Sequence, residues 1–64
     1  MTGACLRHLR KRAGIRASKI APGIDLNPNY LTRLEREDKE LRLPLSAWFA
    51  LAELLDMPIE NLPR

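Results

Sequence analysis

Cysteine is scarce in this chain: Cys5 stands alone among 64 residues. An internal disulfide is therefore excluded, and a lone thiol suits a reducing compartment better than an oxidising one. Histidine is equally scarce, with only His8. Cys5 and His8 have Cys-x-x-His spacing, but a zinc site takes four ligands, or three and a water. No further Cys or His exists to complete one, so no metal is expected. Cys5 reads as a small core residue and His8 as a surface one. No apolar run approaches the ~20 residues of a membrane span. No secretion signal is visible either, because Arg7 interrupts the N-terminus before any apolar core builds up. Ser-His-acid sets, Gly-rich phosphate loops and clustered carboxylates are all missing, so neither an enzyme nor a cofactor is expected. What remains is one small soluble intracellular domain, residues 1–64. A domain this short buries roughly 60% of its unfolded surface and is marginally stable. A second copy of itself is a natural source of further buried area.

The charge is unevenly placed. Residues 1–34 carry seven Lys and Arg against Asp25 alone, a net +6. Residues 35–64 carry four against seven acids, a net −3, which leaves +3 for the chain. A basic half beside an acidic half suggests an anionic partner, and nucleic acid is the usual one. Composition alone equally allows a solvated charged face.

The apolar spacing is helical throughout. A first helix is predicted over about Gly3–Ala13 from Cys5, Leu6, Leu9 and Ala13, stopped by Gly14. A second runs from about Ala17 to Ile24, with Ile20, Ala21 and Ile24 inward. Pro22 lies inside it, so a short, kinked helix or an end at Ala21 is expected. The third occupies the stretch NPNYLTRLERE, residues 27–37. Residues 37–43 read as a polar loop. A fourth helix covers about Leu45–Leu55, with Leu45, Trp48, Leu51, Ala52 and Leu55 on its inner stripe and Phe49 and Leu54 off it. A last turn near Pro58–Leu62 adds Ile59 and Leu62. No strand alternation, repeat or low-complexity segment is present, so the fold class is all-α.

The third helix carries the chemistry. Asn27 is a good N-cap, since its side-chain oxygen can accept from a free N–H two or three residues on. Pro28 suits the first helical position, where its missing donor costs nothing. At 100° per residue, Tyr30, Leu31 and Leu34 fall on one side. Asn29, Thr32, Arg33 and Arg36 follow i, i+3, i+4, i+7 spacing and stack on the other. That outer surface holds two Arg, one Asn, one Thr and no acid. Arg matches the paired acceptors of guanine, Asn the donor and acceptor of adenine, and Thr offers a hydroxyl and a methyl. The open helix N-terminus can accept a phosphate. The plainer reading is an exposed helix whose Arg33 pairs with Glu37 and Arg36 with Glu40. Such exposed pairs are worth only about 0.3–0.5 kcal/mol and would not keep these side chains from DNA.

From Leu6 to Glu35 the chain resembles the Cro/C1-type (XRE) family of helix-turn-helix DNA-binding proteins. The resemblance rests on Leu6, Arg7, Leu9, Arg10, Gly14, Ile15, Ile20, Ala21, Ile24, Tyr30, Leu31, Arg33, Leu34, Glu35 and Arg36, at the family's spacings without a gap. Leu45, Leu51, Ala52, Leu55, Met57, Ile59 and Leu62 fit its closing helices after a slightly longer loop. The resemblance implies a compact five-helix, lambda-repressor-like domain with its helix-turn-helix at about residues 17–36 and the third helix in the major groove. It places base reading on Pro28, Asn29 and Arg33, with Thr32 between. Pro28 offers no side-chain donor, so Asn29 and Arg33 carry most of it. Arg16, Lys19, Asn27, Arg36, Lys39 and Arg42 are the candidates for phosphates. The family often has Gln at the start of helix two, where this chain has Ala17, and Arg16 or Lys19 would substitute. Asp25 stands where the family turn has Gly, and would have to adopt a left-handed backbone. The resemblance also pairs Arg10 with Glu35, a carboxylate at the edge of the buried side of helix three.

These readings predict a cytoplasmic, bacterial or phage-encoded transcriptional regulator, in all expectation a repressor. It would bind double-stranded DNA as a homodimer on a two-fold operator, with Phe49, Leu54, Leu62 and Pro63 as the joining surface. No room is left for a ligand-sensing domain, so control would come from abundance or from a protein partner. Two other functions fit the same fold. One is a protein-interaction module that uses helix three to bind another regulator. The other is an architectural or excision-type DNA-binding accessory factor.

Overall fold

Four α-helices and one closing turn account for the regular structure of the computed structural model, which describes residues 1–64. They are α1 (Gly3–Ala13), α2 (Ala17–Gly23), α3 (Pro28–Arg36) and α4 (Leu45–Leu54), followed by a 3-10 turn at Ile59–Asn61. The all-helical expectation holds. The fifth helix is replaced by that single turn, because Pro58 and Pro63 bracket a segment too short for a second α-turn. No helix is long and apolar enough to cross a membrane. α3 packs on α1 and α2, α2 also packs on α4, and the closing turn rests on α4. One core runs through all of them, centred on the fully buried Leu6, Ile20, Leu31 and Leu51.

Every helix ends the same way. A residue in the left-handed region follows each C-terminus: Gly14 (φ 73°), Asp25 (φ 60°), Asp38 (φ 53°) and Asp56 (φ 55°). Each is followed by an N–H that reaches back five residues. Ile15 donates to Arg10 at 3.0 Å, Leu26 to Ala21 at 2.8 Å, Lys39 to Leu34 at 3.0 Å and Met57 to Ala52 at 3.0 Å. These are Schellman endings, which satisfy carbonyls the helix itself leaves free. Asp serves in three of the four because its short polar side chain tolerates this backbone better than most.

Pro22 does not end α2 at Ala21. Only one helical bond is lost, the one that would reach the exposed Ser18 carbonyl, and the helix continues to Gly23 before the ending at Asp25. α2 and α3 are thus joined by residues 24–27, where Asn27 takes over as N-cap and its Oδ1 accepts from Asn29 N–H at 2.8 Å.

Residues 37–43 are more than a polar loop. Leu41 is buried in the core, and the segment pairs backbone to backbone with the start of the chain. Gly3 N–H donates to the Lys39 carbonyl at 2.7 Å, and Leu41 N–H donates to Met1 at 2.9 Å. The first turn of α1 is capped completely by this arrangement. Gly3 is taken by Lys39, Ala4 N–H by Asp38 Oδ1 at 3.1 Å and Cys5 N–H by Thr2 Oγ1 at 3.3 Å. The N-terminus of α1 therefore sits on the C-terminus of α3. At the contact, a Cβ on Gly3 would overlap the backbone carbonyl of Leu34, which has nowhere to move. Gly3→Ala should force the two helices apart and cost about 1–3 kcal/mol, the usual range for overpacking. A denaturant midpoint unchanged from the parent would contradict this packing.

On α4 the inner stripe is Ala47, Trp48, Leu51, Ala52 and Leu55, and the place predicted for Leu45 is corrected. Leu45 is 59% exposed, because it lies about a quarter turn from the centre of a stripe that includes Ala47. Leu62 is also corrected as a joining residue. The closing turn folds it into the core.

Candidate nucleic-acid interface

The outer face of α3 is built from its caps and its buried side. Leu31 and Glu35 are buried and Leu34 is half-buried, which turns Asn29, Thr32, Arg33 and Arg36 to solvent. Pro28 at the first helical position is exposed as well. Tyr30 departs from the expected inner side: it is 49% exposed, at the border between the two faces. It lies beside Arg33 in a shallow cleft that also takes in Lys39 and Arg42.

The four outward side chains differ in what they already contact. The Thr32 hydroxyl donates to the Pro28 carbonyl at 2.9 Å, which leaves it lone pairs to accept with and no free proton. Arg33 Nε donates to Glu37 Oε2 at 3.2 Å, an exposed pair between neighbouring turns. Arg36 has no carboxylate partner. Its expected pairing with Glu40 does not form, because Glu40 instead receives the Met1 ammonium at 2.8 Å. Asn29 makes no side-chain hydrogen bond within the chain, and its amide is free in both directions.

Behind this face α3 is locked in orientation by one ion pair. Arg10 reaches across from α1 and grips Glu35 with two parallel bonds, Nε to Oε2 at 2.9 Å and Nη2 to Oε1 at 2.7 Å. The Arg10 side chain is 12% exposed and that of Glu35 3%. A third donor, Nη1, bonds the Ile15 carbonyl at 3.0 Å, which the Schellman ending of α1 has turned into reach. The hydrogen bonds to Glu35 outweigh desolvation and raise the guanidinium further above its already high ordinary pKa. The pair therefore stays ionised on the arginine side at any ordinary pH.

The remaining candidates lie before and after α3 in the chain. Arg16 and Lys19 are exposed at the start of α2, beside Gly14, Ile15 and Ser18. Lys39 and Arg42 follow α3, and Asn27 caps it. Two cations were missed by sequence reasoning. Arg7 and Lys11 of α1 share a cleft, lined only by polar and charged residues, with Thr32 and Arg36. Their i, i+4 spacing was a visible signal, but which side of α1 meets α3 was not. Elsewhere, Phe49 is 53% exposed and Pro63 is exposed, while Leu54 is half-buried against Gly23 of α2. No group of three or more Cys, His, Asp or Glu converges on a point that would hold a metal ion.

Searches against protein-family models, curated proteins and solved structures find no match. The chemistry of the face itself therefore carries the functional reading.

Proposed function

We propose that this protein is a sequence-specific DNA-binding transcriptional regulator of the helix-turn-helix kind, a repressor, in which α2 and α3 form the motif and α3 enters the major groove. The observation that carries this reading is the outer face of α3. It is exposed and composed of an amide, a hydroxyl and two guanidiniums, with Glu37 of the following turn the one acid that touches it. α3 is also short and anchored on its inner side by a bidentate pair to α1, which suits a rigid reading head. Asn29 and Arg33 make the base contacts, Thr32 accepts and offers its methyl, and Pro28 supplies only apolar contact. Arg16, Lys19, Asn27, Arg36, Lys39 and Arg42 surround them as phosphate contacts. The Arg33–Glu37 pair is weak enough to open for a guanine.

The test is selection from random duplexes, followed by affinity measured on the winning site and on random DNA at several salt concentrations. One enriched palindrome, preferred over random DNA by 10³-fold or more, supports the reading. Binding without sequence preference would make the protein an architectural factor. No DNA binding at all would leave a protein-interaction module. Arg33→Ala should then relax selection at one base position of each half-site and cost about 1–3 kcal/mol on the selected site. If it weakened selected and random DNA equally, Arg33 would be a phosphate contact instead.

A further inference from the structure

No hydrophobic residue lines the cleft between α1 and α3. Arg7 and Lys11 of α1 stand on one side, and Thr32 and Arg36 of α3 on the other. The Arg10–Glu35 pair completes it. Both oxygens of Glu35 are already taken by Arg10, so the one acid here presents little free negative charge. Arg7, Lys11 and Arg36 have no carboxylate partner at all. All three are exposed. The cleft thus brings three uncompensated cations together.

Geometry says which anion fits. An α-helix with its side chains is about 10–12 Å across, and the major groove is about 12 Å wide. A helix seated in the groove fills it. Whatever flanks that helix in the protein then faces the sugar-phosphate strand forming the groove wall. On the Thr32–Arg36 flank of α3, the neighbouring surface is the Arg7–Lys11 side of α1. Resting on the DNA-binding reading above, we propose that this cleft clamps a backbone phosphate of the bound duplex, with Arg7 and Lys11 of α1 closing on it from one side and Arg36 from the other. α1 is then part of the DNA interface as well as a support for α3.

The experiment measures affinity and its salt dependence for the parent chain and for Arg7→Gln, Lys11→Gln, the double variant and Arg12→Gln, on the selected site and on random DNA. Arg12 is the control. It removes the same charge from the far side of α1, where it lies beside Leu9, Ala13, Leu55 and Met57. Loss of one phosphate contact lowers the slope of log K against log salt by about 0.9, which amounts to about eightfold in affinity at 0.1 M salt. Arg7→Gln and Lys11→Gln should each show that loss equally on both DNAs, and the double variant about sixtyfold. Arg12→Gln should stay within about twofold of the parent. Arg7→Lys with Lys11→Arg, which keeps both charges, should retain the parent slope and guards against a folding defect in the Gln variants. Losses no greater than that of Arg12→Gln would overturn the clamp while leaving DNA binding intact. A parent chain that binds no DNA would overturn both.

Discussion

Arg10→Met should unfold much of this protein near body temperature. The substitution leaves Glu35, whose side chain is 3% exposed, with neither of its two donors. Breaking a buried pair by removing one partner costs about 3–5 kcal/mol, because the surviving charge stays buried and uncompensated. A domain of 64 residues has roughly 3–10 kcal/mol in total at 0.05–0.15 kcal/mol per residue, so the loss is comparable with its whole stability. Arg12→Met, from the exposed side of the same helix, should shift the melting temperature by far less. A second variant separates the pair from the mere presence of arginine. Arg10→Met combined with Glu35→Leu removes both charges and should recover most of the loss, as replacing a buried pair with apolar groups often does. If Arg10→Met melts no lower than Arg12→Met, the pair contributes nothing. Recovery in the double variant would also say what the pair is for. The pair would then fix how α3 is rotated on α1 more than how stable the domain is. The double variant would fold and yet read DNA less selectively.

That pair and the polar outer face of α3 were both legible from the sequence, for a common reason. α3 is bounded by strong local signals, Asn27 as cap and Pro28 at the first turn, and helical periodicity then determines which residues lie opposite one another. The helix limits of α1 followed in the same way from Gly14. What was not legible depends on contacts between distant segments. Leu41 looks like part of a polar loop because its neighbours are charged, and only the pairing of residues 39–41 with the chain start carries it into the core. Periodicity of the large apolar residues places Leu45 inward, yet the stripe of α4 extends on its other edge to Ala47, whose small side chain gives a weak signal, and its centre lies away from Leu45. Leu62 looked free because it stands near the end of the chain, but the Ile59–Asn61 turn directs it inward. Tyr30 sits at a face boundary, where a rotation of a few tens of degrees decides its exposure. The three Asp endings break the usual Gly rule, and a sequence reading that waits for Gly does not see them. Arg7 and Lys11 were plain as charges. Their place beside Thr32 and Arg36 depends on which side of α1 meets α3, and the close approach at Gly3 helps set that.

Two copies of the chain should occupy one selected operator. On the proposed reading, a single α3 would present few base contacts, chiefly Asn29 and Arg33. At about 1–3 kcal/mol of discrimination each, one copy falls short of, or barely reaches, the roughly 4–10 kcal/mol that separates specific from non-specific binding. A second copy doubles the readout, and a two-fold axis turns it into a palindrome with half-sites about one helical turn, ~10 bp, apart. Where the copies meet is narrowed by burial. Leu62 is spent on the core and Leu54 is half-taken by α2, which leaves Phe49, 53% exposed, with Pro63 from the original candidates. Leu45, one helical turn from Phe49 and 59% exposed, joins them. These few residues make a small contact, so the free protein should be largely monomeric and pair only on DNA. The mass of the complex on the operator is therefore the deciding measurement, and the mass of the free chain is not. Scrambling one half-site should cost about 2–6 kcal/mol of direct readout, the share of one copy's two base contacts. Phe49→Lys should weaken binding to the full operator while leaving affinity for an isolated half-site unchanged. One copy bound tightly and specifically to the full operator would sink the two-fold arrangement and leave Asn29 and Arg33 too few to account for the specificity.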